Sequence, residues 1–148
     1  MNFQTSVKTC FKKYATFSGR ASRSEFWYFY LFYWGLCSVL LFSSFISIMQ
    51  GQRFISDIFF WSFTGLGLAS LIPFFAVSAR RLHDINKSGW FQILPYPFSL
   101  LDKYLIGLGE GMSLILPFIF VGLYIYLIVL YCKKGEKKKN KYGKPINT

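Results

Sequence analysis

The sequence predicts an all-α polytopic membrane protein with four transmembrane helices, the third short or proline-broken, preceded by an N-terminal amphipathic interfacial helix. Three observations carry this reading. Of 148 residues, 53% are hydrophobic and 22% aromatic while only 16% are charged, against about a quarter charged in an ordinary soluble domain. Charge-free runs of 27, 22 and 22 residues stand at 26–52, 58–79 and 111–132; at about 1.5 Å per residue each can cross a hydrocarbon core of roughly 30 Å. The 17 Lys and Arg, against 6 Asp and Glu, lie in clusters between these runs, as membrane topology produces and a nucleic-acid groove does not.

The elements follow in order. Phe3, Val7, Cys10, Phe11, Tyr14 and Phe17 recur at helical spacing with Lys8, Lys12, Lys13 and three threonines opposite, which predicts an interfacial helix over 3–18 held by apolar burial and attraction to anionic lipid. The first 24 residues hold five Lys or Arg and no apolar core, so no cleaved secretory signal is expected. Gly19 stops the helix. Ser22 stands three residues before Glu25, the spacing of a capping box, and predicts that the first span, 23–49, starts at Arg23. The second span is 57–79, where Pro73 is tolerated as in other membrane helices.

The third span, 90–108, is the difficult one. Its apolar run from Trp90 to Leu101 is 12 residues long before Asp102 and Lys103, too short to cross alone, and Pro95 and Pro97 bend or break it. Charge bias decides in its favour. The N-terminal segment, the stretch with Arg80, Arg81 and Lys87, and the seven lysines from Lys133 to Lys144 all belong on the cytoplasmic side. The chain must then cross an even number of times between Ser88 and the C-terminal lysines. The fourth span, 111–132, supplies one crossing and 90–108 the other; a re-entrant half-helix is the competing geometry. Residues 1–132 thus form a single membrane domain and 133–148 a solvated basic cytoplasmic tail attracted to anionic lipid, with both termini inside. Tyr and Trp residues between 27 and 34, with Trp90, Tyr131 and Tyr142, suit an aromatic belt near that face.

Two charged strings stand out, Phe17-Ser-Gly-Arg-Ala-Ser-Arg-Ser-Glu-Phe-Trp27 and Arg80-Arg-Leu-His-Asp-Ile-Asn-Lys-Ser-Gly-Trp90. With the terminal Asn140-Lys-Tyr-Gly143, they resemble a family of small bacterial inner-membrane proteins catalogued as domain of unknown function 805. The resemblance covers nearly the whole chain. It implies a multi-span protein of the bacterial cytoplasmic membrane and brings no established activity with it. The chain departs from the family pattern in one respect: about 40 residues separate Ser88-Gly89-Trp90 from the basic tail, where shorter members have room for a single span.

Both strings fall at the cytoplasmic face. Arg80 and Arg81 close one helix and Glu25 opens another, each suiting the local dipole, so Glu25 and Asp84 are expected to form structural ion pairs with Arg20, Arg23, Arg80 and Arg81. One reading is a packing clamp and topology signal. The other is an anion site: four arginines exceed two carboxylates, and guanidinium forks fit phosphate oxygens. In that reading Arg20, Arg23, Arg80 and Arg81 hold an anionic phospholipid or lipid-linked phosphate, His83 adds a titratable donor, and Trp90 packs at headgroup level.

No catalytic residue is assigned. His83 and Asp84 are adjacent and do not face each other on a helix, no nucleophile has a recognisable motif, and one His does not build a metal site without several carboxylates; no metal or cofactor is expected. Cys10, Cys37 and Cys132 are too widely spaced for a redox or zinc motif and read as free thiols. The first, second and fourth runs carry no ionisable residue of the kind that marks transport paths, which leaves an oligomeric small-solute or ion transporter as the alternative. The lysine tail lacks the aromatic interleaving of a nucleic-acid binder. The expected function is a non-enzymatic interaction or assembly factor binding anionic lipid or a membrane partner, with a homo-oligomer or another membrane protein as possible company.

Overall fold

A computed structural model describes residues 2–97 and 110–146, the side chains of 110–115 excepted. Among these residues the chain is helical apart from turns and one isolated bridge between Asn140 and Gly143. It divides into two units, Met1–Thr16 with Ser24–Val77, and Phe17–Arg23 with Ser78–Thr148.

In the first unit Asn2 caps α1 (Phe3–Lys12), its Oδ1 accepting from the Thr5 amide at 2.9 Å and so satisfying one of the orphan donors of a helix start. Ser6 and Cys10, one turn apart, are buried. Phe3 and Phe11 set their rings edge-on against Tyr28, Phe29 and Phe32 at centroid separations of 5.6–6.5 Å. Part of the apolar face therefore packs on protein, while Lys8, Lys12 and Lys13 are exposed. The helix is shorter than the 3–18 expected. It closes at Lys13, whose amide reaches the Thr9 carbonyl at 2.9 Å. Beyond it the Tyr14 hydroxyl donates to the carbonyl of Ala69, and the aromatic and β-branched residues 14, 16 and 17 have too little helix propensity to oppose that.

α2 (Arg23–Met49) begins directly after Ser22 and runs 27 residues, about 40 Å. Gly51 closes it at φ 73°: its amide donates to Ile48 and that of Gln52 to Ser47, at 2.9 and 2.8 Å, the bond pair by which a left-handed residue satisfies terminal carbonyls. α3 (Arg53–Asp84) returns antiparallel. Ser44 and Ser56 hydroxyls meet at 2.9 Å near the turn, and further along Phe74 lies 5.9 and 5.8 Å from the rings of Tyr30 and Tyr33. The most apolar stretches of α2 and α3 have mean hydropathies of 1.9 and 1.7, yet only 17% and 11% of them is buried. A soluble core helix would bury most of such a surface; these turn residues such as Leu31, Phe42 and Leu68 outward, as a helix does toward lipid.

α3 continues past residue 79, where the second span was expected to stop, through Arg80 to Asp84. Arg81 and His83 in its last turn suit the helix dipole, and the stop signal comes later. Asn86, at φ 57°, donates to His83 at 3.1 Å, and the Lys87 amide donates to Leu82 at 2.9 Å, repeating the closure made at Gly51.

In the second unit Ser88 caps a 3₁₀ turn, Gly89–Ile93. A Cβ at Gly89 would stand 2.8 Å from that of Ala79, so only glycine lets this turn lie so close to α3. The third span expected over 90–108 begins in this turn, and its residues from 98 onward lie outside the described ones. α4 (Glu110–Cys132) has 23 residues, about 34 Å. Among the described residues α2 and α3 are long and apolar enough to cross a membrane, and Leu116–Cys132 is a shorter apolar stretch.

Candidate functional site

The last turn of α3 places Arg81 and Asp84 three residues apart, on one helix face, and the second unit gathers its charges around them. Asp84 accepts from Arg20 Nε at 2.7 Å through Oδ1 and from Arg81 Nη1 at 2.5 Å through Oδ2, with the three side chains almost wholly buried. The guanidiniums go further. Arg81 Nε donates to the Tyr131 carbonyl at 3.0 Å and Nη2 to that of Lys133, capping the end of α4. Arg20 Nη1 reaches the Lys138 carbonyl at 3.0 Å, and its Nη2 reaches those of Glu136 and Asp84 at 2.5 and 3.3 Å. Every guanidinium nitrogen of Arg20 and Arg81 thus donates to a protein oxygen. A ligand phosphate would have to displace a carboxylate or a carbonyl to use either.

The segment after α4, expected as a solvated basic tail, keeps its lysine side chains exposed while its backbone is folded over this knot. Lysine composition favours solvent, but the backbone carbonyls of the segment are what two buried guanidiniums need. The Glu136 amide returns a bond to the Asp84 carbonyl at 2.9 Å. Gly135 is indispensable, since a Cβ there would lie 1.9 Å from Asp84 Oδ2. Asn140 Nδ2 donates to the His83 carbonyl at 2.9 Å, and the Tyr142 ring stacks on His83 at 3.7 Å and 7°. We call residues 133–144 the strap.

His83 Nδ1 lies 3.1 Å from the Gly19 carbonyl, so that nitrogen carries the proton in the neutral ring. Burial lowers the His83 pKa, opposed by the Gly19 hydrogen bond and assisted by Lys141. Burial also works against the charge of Arg81, with Asp84 pushing the other way.

The six residues expected to bind an anion are distributed unevenly. Arg20 and Arg81 share Asp84. Arg80 is 1% exposed, and its carbonyl accepts from the Ala21 amide at 2.9 Å, which ties the Gly19-Arg20 string to α3. Arg23 is exposed, close enough for its charge to be felt at Arg81. His83 is half-buried under Tyr142, and Trp90 is 77% exposed. Glu25 is buried, with the Cys10 thiol 4.0 Å from its Oε1. Gly135 and the strap carbonyls escaped sequence reasoning, because a carbonyl acceptor has no residue signature; the glycine inside a lysine run was the one available hint. Among the described residues no three His, Cys, Asp or Glu side chains gather to hold a metal. An open groove along the first turns of α3 is lined by Phe54, Asp57, Ile58, Trp61 and Ser62 and has Asp57 as its ionisable group.

The chain is similar to inner membrane protein YhaI of Escherichia coli (strain K12), 28% identical over 134 residues covering 89% of this chain and 86% of that one. It is also similar to inner membrane protein YhaH of the same strain, 28% identical over 141 residues covering 89% and 88%. No solved structure matches it. With the outward apolar faces of α2 and α3, these relatives make it an integral membrane protein. The protein family described as of unknown function, DUF805, matches residues 14–144; that range takes in every residue of the knot and strap, and the chain belongs to this family.

Proposed function

We propose that the chain is a non-enzymatic interaction or assembly factor of the bacterial inner membrane, acting on anionic lipid or a membrane partner at the cytoplasmic face that the arginine knot organises. The observation that carries this is the convergence of three strings, around Arg20, Arg81 to Asp84, and Glu136 to Tyr142, on one buried cluster with more positive charge than Asp84 neutralises. Arg81 joins the last turn of α3 to the end of α4. If both helices cross the bilayer, their ends share a leaflet, which supports four spans with both termini inside, as the positive charge favours. Arg23 and Trp90 are exposed where a ligand can reach them, while Arg20, Arg80 and Arg81 act from beneath. A catalytic role for His83 finds no support, since Nδ1 is held by Gly19 and a ring face by Tyr142. Lipid extraction and native mass spectrometry after mild purification test the proposal. Selective retention of anionic phospholipid, or of a partner, is expected, and Arg80→Ala with Arg81→Ala should reduce it. Unchanged retention in that double variant refutes the role of the knot.

A further inference from the structure

Between Lys133 and Lys144 stand seven lysines and one acidic residue, Glu136, a composition that alone favours disorder. In this protein the backbone is fixed instead. Carbonyls of Lys133, Glu136 and Lys138 accept from Arg81 and Arg20, and Glu136 and Asn140 donate back to Asp84 and His83. The guanidiniums are occupied in holding the strap, and its lysine side chains are exposed. The His83 ring links this array to a second feature. Tyr142 covers one face of the ring, a Cβ built on Gly89 would lie 3.4 Å from Nε2, and Trp90, the next residue, is 77% exposed. A held backbone that presents exposed lysines, with an exposed indole on the turn packed against His83, matches a bilayer surface, where phosphodiesters meet the charges and the indole sits at headgroup level. Fixing the strap backbone in advance removes part of the ordering cost of binding. RNA is a poorer fit, because the face of Tyr142 that a base would stack on is in part taken by His83.

We propose that the docked strap, together with Trp90, is the recognition surface and that its ligand is anionic phospholipid. This rests on the interaction role proposed above and assigns its parts: Arg20 and Arg81 position, the lysines and Trp90 bind. Full-length protein in mild detergent, titrated with phosphatidylglycerol and separately with phosphatidylcholine and read by native mass spectrometry, tests it. The variant with Lys137→Gln, Lys138→Gln, Lys139→Gln and Lys141→Gln is expected to weaken phosphatidylglycerol retention at least tenfold; each lysine near an anionic surface contributes about fivefold before screening. Phosphatidylcholine retention stays level, and slow hydrogen exchange at the Glu136 amide reports that the strap is still docked. Lys→Arg at the same four positions keeps the charge and is expected to keep retention. If the Gln variant holds phosphatidylglycerol as the wild type does, or the Arg variant loses it, the assignment to the lysines is overturned while the interaction role stands. A wild-type protein with no preference between the two lipids overturns this proposal and the lipid arm of the interaction role, leaving its partner arm, and RNA that displaces phosphatidylglycerol overturns the choice of ligand.

Discussion

Asp84→Asn is the most informative single substitution. Asp84 stands between two guanidiniums at 2.7 and 2.5 Å, with side-chain exposures of 2% for Arg20, 0% for Arg81 and 8% for itself. Asparagine keeps the shape but removes the charge, and turns one acceptor into a donor facing an arginine. Removing one partner of a buried pair costs about 3–5 kcal/mol, and two cations left facing each other argue for the upper half of that range. Thermal or denaturant unfolding of the detergent-solubilised protein measures the loss. Adding Arg81→Met removes one stranded cation and should restore part of the stability, giving a coupling energy of at least about 1 kcal/mol in a double-mutant cycle. A single variant within about 1 kcal/mol of wild type, or strictly additive effects, would refute a knot held by charge.

Gly135→Ala puts a Cβ where Asp84 Oδ2 already lies; the Glu136 and Asn140 amides should lose hydrogen-exchange protection while α2 and α3 keep theirs, and unchanged protection would contradict the packing. Asn86, at φ 57°, should accept Gly with no loss, whereas Val should cost about 1–2 kcal/mol; the opposite order of melting midpoints counts against the helix closure described. Because burial lowers the His83 pKa from its ordinary 6.5, the unfolded chain takes up that proton more readily than the folded one. The stability contribution is full above about pH 6.5 and falls as the pH drops below it. The wild type should therefore lose more of its melting temperature than His83→Gln between pH 7.5 and 5.5, and equal losses would argue against a buried neutral ring.

Local signals read well where local physics decides. Ser22 and Glu25 mark the residue at which α2 starts, and the charge-free runs mark α2 and α4 closely. They misplace the end of α3, because hydropathy falls at Arg80 whereas helix propensity does not; Asn86, able to adopt a left-handed backbone, is the true terminator. The end of α1 depends on a bond from Tyr14 to Ala69, 55 residues away, which no window of sequence contains. At the site, Arg20, Arg81 and Asp84 were legible as charges at helix ends that seek partners. The strap was not, since its anchors are carbonyls.

Arg20 finds its last acceptors 116 and 118 residues downstream. On the ribosome this arginine leaves the exit tunnel long before Glu136 and Lys138 have been made, so its guanidinium must stay hydrated at the membrane rim while the intervening helices insert. Closure of the knot is therefore one of the last steps of biogenesis, and a chain stalled or clipped before residue 136 would leave Arg20 without its two strap carbonyls, a mark by which quality-control proteases can tell it from the finished molecule.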